Sequence, residues 1–125
     1  MQALLLPVGA DWYALDIQSV REVVARPAVT AVPTAPEPLL GLFNLRGDIV
    51  PLFETATLMG LPSLPLGPYV AIVQTTMGPA GLSLSQVPES VELDVSVPAE
   101  TATYALGARL ATLIDADQLL GLSAG

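Results

Sequence analysis

The chain has 125 residues, a length that suits one domain with a core of its own. Twelve acidic residues stand against four arginines, with no histidine and a net charge of −8, a balance that disfavours nucleic acid and anionic lipid, which both need cationic surfaces. Cysteine is absent, which excludes disulfides, thiolate metal sites and a cysteine nucleophile, and 52% hydrophobic against 13% charged residues leaves apolar area for an interaction surface.

In chain order, Leu4–Val8 reads as a strand. Met1–Ala10 is apolar but has no basic residue before it, so it is not a signal peptide, and no segment approaches the roughly 18 apolar residues of a spanning helix. The expectation is a cytoplasmic protein. In Trp12–Ile17 the residues Tyr13, Leu15 and Ile17 share one face of a second strand. Asp16 is placed to cap a helix on which Ile17, Val20 and Val24 line up, stopped by Pro27. Pro33–Pro38 is a stiff extended connector. Leu42–Leu45 and Ile49–Phe53 are strands about a polar turn, Asn44-Leu45-Arg46-Gly47. Glu54–Met59 is a helix of one or two turns, with Gly60 at its end and Pro62 beyond.

The proline-rich Leu61–Pro68 reads as a hinge between an N-terminal and a C-terminal half. Val70–Thr75 is a strand, Gly78-Pro79-Ala80-Gly81 a hairpin turn, and Leu82 and Leu84 alternate with Ser83 and Ser85. The cleanest alternation is Val91, Leu93, Val95 and Val97 against Glu92, Asp94 and Ser96. Arg109–Ile114 is a late strand. Asp115 and Gln118 form a capping-box pattern before a short helix that Gly121 ends. Twelve prolines and ten glycines punctuating short strands predict an all-β domain with few short helices, a barrel or sandwich. No internal repeat is evident.

Catalysis needs groups that titrate or attack, and without histidine, cysteine or lysine the candidates shrink to carboxylates and three tyrosines. Glu92/Asp94 and Asp115/Asp117 are the pairs to weigh for two-carboxylate chemistry. The first lies on the polar face of an alternating strand and Asp115 has a cap to make, so a structural role is expected for both. No loop has the density of oxygen ligands a calcium site needs, nor the spacing and lysine of a phosphate-binding loop. Neither an enzyme nor a cofactor is expected. Among the arginines, Arg21 and Arg26 flank the first helix and Arg109 reads as ordinary surface. Arg46 stands on a turn in which Gly47 suggests positive φ. It is either a solvated turn residue or an exposed anchor inside an apolar surface, the residue type enriched at interface hot spots.

Three stretches carry a family resemblance. They are Tyr13-Ala14-Leu15-Asp16-Ile17 followed by Val20-Arg21-Glu22-Val23; Val32-Pro33 and Pro36 followed by Gly41-Leu42-Phe43-Asn44-Leu45-Arg46-Gly47-Asp48-Ile49-Val50-Pro51; and Leu113-Ile114-Asp115 through Leu119-Leu120. Together with Gly81-Leu82-Ser83-Leu84, they closely resemble CheW-like domains over nearly the whole chain. The resemblance implies a CheW-like fold spanning residues 1–125 as a single domain, with two SH3-like five-stranded β-barrels packed side by side, a hydrophobic cleft between them and the hinge around 61–68. It also implies a chemotaxis adaptor that couples the cytoplasmic tip of methyl-accepting chemoreceptors to the regulatory domain of a CheA-type histidine kinase. Such an adaptor would be monomeric alone and recruited to receptor arrays without entering the membrane. Val20, Glu22, Gly41, Asn44, Arg46 and Gly47 fall on positions that the family associates with receptor docking, and Glu22 and Arg46 are placed to form an ion pair. Three departures stand out: Leu52-Phe53-Glu54-Thr55 where the family has "vidL", Ser85 in place of an aspartate, and a contracted Val91–Leu106. These keep open a scaffold of a type IV pilus or gliding pathway (PilI- or FrzA-like). A small β-barrel ligand-binding domain is a further alternative.

Overall fold

The computed structural model describes residues 1–35, 37–96 and 102–121. Among these, ten strands run in chain order: β1 (Gln2–Val8), β2 (Asp11–Asp16), β3 (Val20–Ala25), β4 (Leu39–Leu45), β5 (Asp48–Phe53), β6 (Tyr69–Thr75), β7 (Gly78–Leu84), β8 (Glu89–Glu92), β9 (Thr103–Leu106) and β10 (Arg109–Ile114). Two one-turn helices, α1 (Thr55–Leu58) and α2 (Ala116–Leu119), follow β5 and β10. The fold is mainly β, as its alternating sequence predicts.

The strands form two five-stranded sheets, β8-β1-β2-β10-β9 in a first lobe and β3-β6-β7-β5-β4 in a second. The first lobe is built from both ends of the chain and the second from its middle. Leu61–Pro68 joins α1 to β6, between the N-terminal and C-terminal halves of the chain and not between the two lobes, and Leu61 packs on the core that the lobes share.

Three apolar clusters hold the fold. Ala3, Leu5, Ala14, Leu93 and Ala111 fill the first lobe. Phe43, Leu45, Val50, Leu52, Val70 and Ile72 fill the second. The third joins the lobes, with Leu4, Leu6, Val8 and Leu15 from one, Ala71, Val73, Ala80, Leu82 and Leu84 from the other, and Ala56 and Ala116 from the two helices. β1 and β6 are thus buried on both faces, which is why Ala3–Leu6 and Val70–Val73 are unbroken apolar runs. This cluster packs the facing sides of the two lobes together, and the cleft expected between them takes the form of a groove lined from both.

The two sheets repeat one pairing scheme with exchanged segments. Each has an antiparallel hairpin at its centre (β1–β2 or β6–β7), one parallel contact (β2–β10 or β7–β5) and an outer hairpin (β9–β10 or β4–β5). Residue register coincides: Glu22 opposite Ile72 in the second lobe matches Glu89 opposite Leu5 in the first. Leu52 opposite Gly81 likewise matches Leu113 opposite Ala14. Along the chain, the repeat is β1 to α1 followed by β6 to α2, each half lending its first hairpin to the other's lobe. An exchange of this kind leaves no simple hydrophobic period, because equivalent strands face different neighbours.

Three local expectations are corrected. Only Ile17–Ser19 is helical, one 3₁₀ turn whose cap Asp16 accepts from Gln18 N at 3.0 Å. Val20–Ala25 is instead a strand, as its β-branched valines favour. Its helix-like spacing reflects burial on two sides, with Val20 and Val23 on the shared core and Val24 inside the second lobe. The β6–β7 turn is Thr76-Met77, and Gly78–Gly81 lies within β7. The Val91–Val97 alternation contributes a strand only over Glu89–Glu92, since its single neighbour β1 pairs no further than Gln2 and one last bond runs from Leu93 N to Met1 O; Val97 and Pro36 lie outside the described residues. β9 was not expected. The expected cap at Asp115 holds, accepting from Gln118 N at 3.0 Å, while Glu54, read from sequence as the first residue of its helix, is its cap and accepts from Thr57 N at 2.9 Å.

Candidate protein-binding site

The β4–β5 hairpin turns on Arg46-Gly47, both with positive φ (48° and 95°). A two-residue hairpin with that geometry matches the twist of the strands it joins, and glycine adopts it without strain. Asn44 Oδ1 accepts from Gly47 N at 2.9 Å, which fixes the turn. The guanidinium of Arg46 is thereby carried on a rigid tip with its side chain 65% exposed.

Glu22 reaches this tip from the far edge of the same sheet. A bulge at Arg21 shifts the register, with Val20 opposite Val73 and Glu22 opposite Ile72. Val20 consequently turns toward the shared core, while Glu22 shares the face of Val24, which points into the second lobe. Arg46 Nη2 donates to Glu22 Oε2, forming the expected ion pair. That hydrogen bond holds the Glu22 carboxyl below its ordinary range and raises Arg46 above its own. The seam it spans, between β3 and β4, is also closed by backbone: Thr30 N donates to Leu42 O at 2.8 Å and Leu42 N to Thr30 O at 2.9 Å. Gly41 lies beneath this bridge, where a Cβ would come within 2.4 Å of Thr30 O.

Of the six sequence-derived residues, four thus converge: Glu22, Asn44, Arg46 and Gly47. Val20 instead packs against the shared core, and Gly41 is buried at the seam with Thr30.

An apolar surface adjoins the tip. Ile49, Pro51 and Phe53 form the outer face of β5 and one wall of a groove of about 290 Å³. The opposite side holds Met77, Gly78 and Pro79 from the second lobe and Leu120 from the end of α2. Ile49 is 63% and Met77 80% exposed, a large apolar exposure for an acidic domain. The resemblance implies a hydrophobic cleft between the lobes, but none of these lining residues was singled out from the sequence. Ile49, Pro51 and Phe53 alternate with buried Val50 and Leu52, a signal that was there to read, but Met77 depends on where the next turn falls.

The carboxylates weighed for catalysis each have a structural partner: Glu92 accepts from Met1 N, Asp94 from Ser96 N, Asp115 from Gln118 N and Asp117 from Thr76 N. No group of three potential metal ligands occurs among the described residues, nor a helix long and apolar enough to cross a membrane. Arg109 is not ordinary surface. Its guanidinium lies 4.9 Å from the Trp12 ring centroid and donates to both carboxylate oxygens of Glu89, at 3.0 and 3.4 Å.

The model of the CheW-like domain matches residues 2–123. The chain belongs to the CheW-like domain family, a family of chemotaxis scaffold proteins. It is 28% identical to the chemotaxis protein CheW of Helicobacter pylori over 127 residues, covering 90% of this chain and 77% of that protein. With the chemotaxis protein CheW of Klebsiella aerogenes it shares 25% over 132 residues, 94% of this chain and 80% of that protein. A probable chemotaxis protein CheW of Rhizobium etli is 36% identical over 67 residues, 53% of this chain and 43% of that relative. In fold, the chain is similar to the scaffolding protein TtCheW of Thermoanaerobacter tengcongensis, with a TM-score of 0.81 at 24% identity over 94% of this chain and 86% of that one.

Proposed function

We propose that this chain is a non-enzymatic, cytoplasmic coupling protein. It holds the cytoplasmic tip of a methyl-accepting chemoreceptor and the regulatory domain of a CheA-type histidine kinase in one assembly, and is drawn to the membrane only through its receptor. The observation that carries this reading is the exposed Glu22–Arg46 pair beside the groove of Ile49, Phe53 and Met77. An amphipathic receptor helix would lay its apolar face into the groove, while a carboxylate or carbonyl at its edge meets Arg46. Asn44 and Gly47 hold the arginine in place, while Val20 packs against the shared core and Gly41 lies at the seam with Thr30. Receptor state would then bias the geometry of the assembly without any covalent step.

Capture of a receptor signalling tip and of a CheA regulatory domain by the purified chain tests this. Arg46→Ala is expected to reduce receptor capture at least tenfold, in the range of interface hot spots, with Glu22→Ala weaker in the same direction. If both variants capture the receptor as the parent does, the site is misassigned. If the parent captures neither partner, the function is.

A further inference from the structure

The groove is walled by two lobes that are separate in chain connectivity. Met77 belongs to the β6–β7 turn of the second lobe, whereas Leu120 is the C-cap of α2, which follows β10 of the first. One side chain ties the two. Asp117 Oδ1 accepts from Thr76 N at 2.8 Å and from Thr76 Oγ1 at 3.1 Å. The remaining turn amide, Met77 N, is held by Thr75 Oγ1 at 3.1 Å, and Thr75 Oγ1 in turn donates to Gly78 O at 2.7 Å. Asp117 is therefore the contact that fixes the Thr76-Met77 turn against the helix carrying Leu120. The exchanged repeat sharpens this point. The register that equates the lobes puts Ala56 of α1 where α2 has Asp117, and Gly9 of the β1–β2 turn where the other turn has Thr76. A methyl group facing a glycine cannot make this side-chain contact, so among the described residues only the seam beside Met77 carries it.

We infer that Asp117 is a positioning residue for the docking groove: its clasp on Thr76 sets the distance between Met77 and Leu120, and with it the groove's fit to a partner helix. The inference rests on the receptor-docking reading above. Its ligating atoms lie near the protein surface, so losing them frees the turn without uncovering the core.

The test compares Asp117→Ala, Asp117→Asn and Thr76→Val for affinity to a soluble receptor signalling-tip fragment, with amide hydrogen exchange at Thr76 and Met77 and thermal midpoint read on the same samples. Asp117→Ala is expected to weaken binding about fivefold, equivalent to about 1 kcal/mol, with faster exchange at Thr76 and little change in thermal midpoint. Asp117→Asn keeps an acceptor oxygen and is expected to restore most of the affinity, while Thr76→Val, which keeps the amide, falls between. Parental affinity in Asp117→Ala alongside faster exchange at Thr76 would overturn the inference. Should Asp117→Ala fail to fold, parental affinity in Thr76→Val with its Thr76-region exchange accelerated would overturn it equally. If instead Arg46→Ala binds the fragment as well as the parent does, it is the docking reading that fails.

Discussion

The two lobes set an arginine–glutamate pair at corresponding places and use it differently. Glu22 and Glu89 hold the same register position, and each is met by an arginine from the lobe's outer hairpin. In the first lobe Arg109 lies on the strand itself, two positions beyond the one that would match Arg46. There it grips both Glu89 oxygens and covers the Trp12 ring, with 36% of its side chain exposed. In the second lobe Arg46 is on the turn, takes one oxygen of Glu22 and leaves 65% of its side chain open. Moving the cation from strand to turn leaves the arginine the more exposed partner of its pair, whereas in the first lobe it is Glu89, at 55%, that faces solvent. A forked, ring-stacked arginine has few donors left for another molecule; a turn-borne arginine with one partner has several.

Four perturbations probe this contrast, from the largest effect to the smallest. Leu82→Ala, in the cluster shared by both lobes and fully buried, is expected to cost about 3 kcal/mol. Unfolding should remain one transition, with Trp12 fluorescence, which reports the first lobe, coinciding with far-ultraviolet circular dichroism. Two separated transitions would show the lobes to be independent. Gly41→Ala places a Cβ 2.4 Å from Thr30 O, and is expected to cost about 2 kcal/mol in denaturant melts because backbone must move. Arg109→Ala should lower the thermal midpoint modestly and change Trp12 emission while leaving receptor binding near parental, whereas Arg46→Ala should do the reverse.

The smallest effect is of pH. The Glu22 carboxyl is held below its ordinary value by the bond from Arg46, so its contribution is present above the unfolded-state value and is lost as pH falls through the lower folded one. Receptor affinity should therefore be flat from pH 8 down to about 5, as measured by titration, with no step attributable to this pair; exposure keeps the stability effect small.

Much of this architecture is legible in the residues. Alternation locates β2 and the end of β7, and the apolar runs on either side of Asn44–Gly47 mark β4 and β5; Gly47 suits the positive φ of the turn and Asn44 accepts from its amide, whereas Arg46 is not a residue type that positive φ favours. Asp16 and Asp115 announce the caps they make. Strand β3 was misread because a valine run buried on two faces imitates helical spacing. The exchange of hairpins between lobes was hidden for a related reason: pairing across distant segments writes no local period, so Glu22 and Glu89 look unrelated until their registers are compared. The groove was obscured because it joins residues from two lobes, and the partnership of Arg109 with Trp12 because they meet only through the pairing of β10 with β2.

The most direct measurement is isothermal titration of a receptor signalling-tip fragment into matched Arg46→Ala and Arg109→Ala proteins, each checked for folding by its melt. A loss of at least tenfold in affinity confined to Arg46→Ala is the predicted result. Equal losses in both, or a loss confined to Arg109→Ala in protein that remains folded, would contradict the assignment of the outward-facing pair as the one that a partner grips.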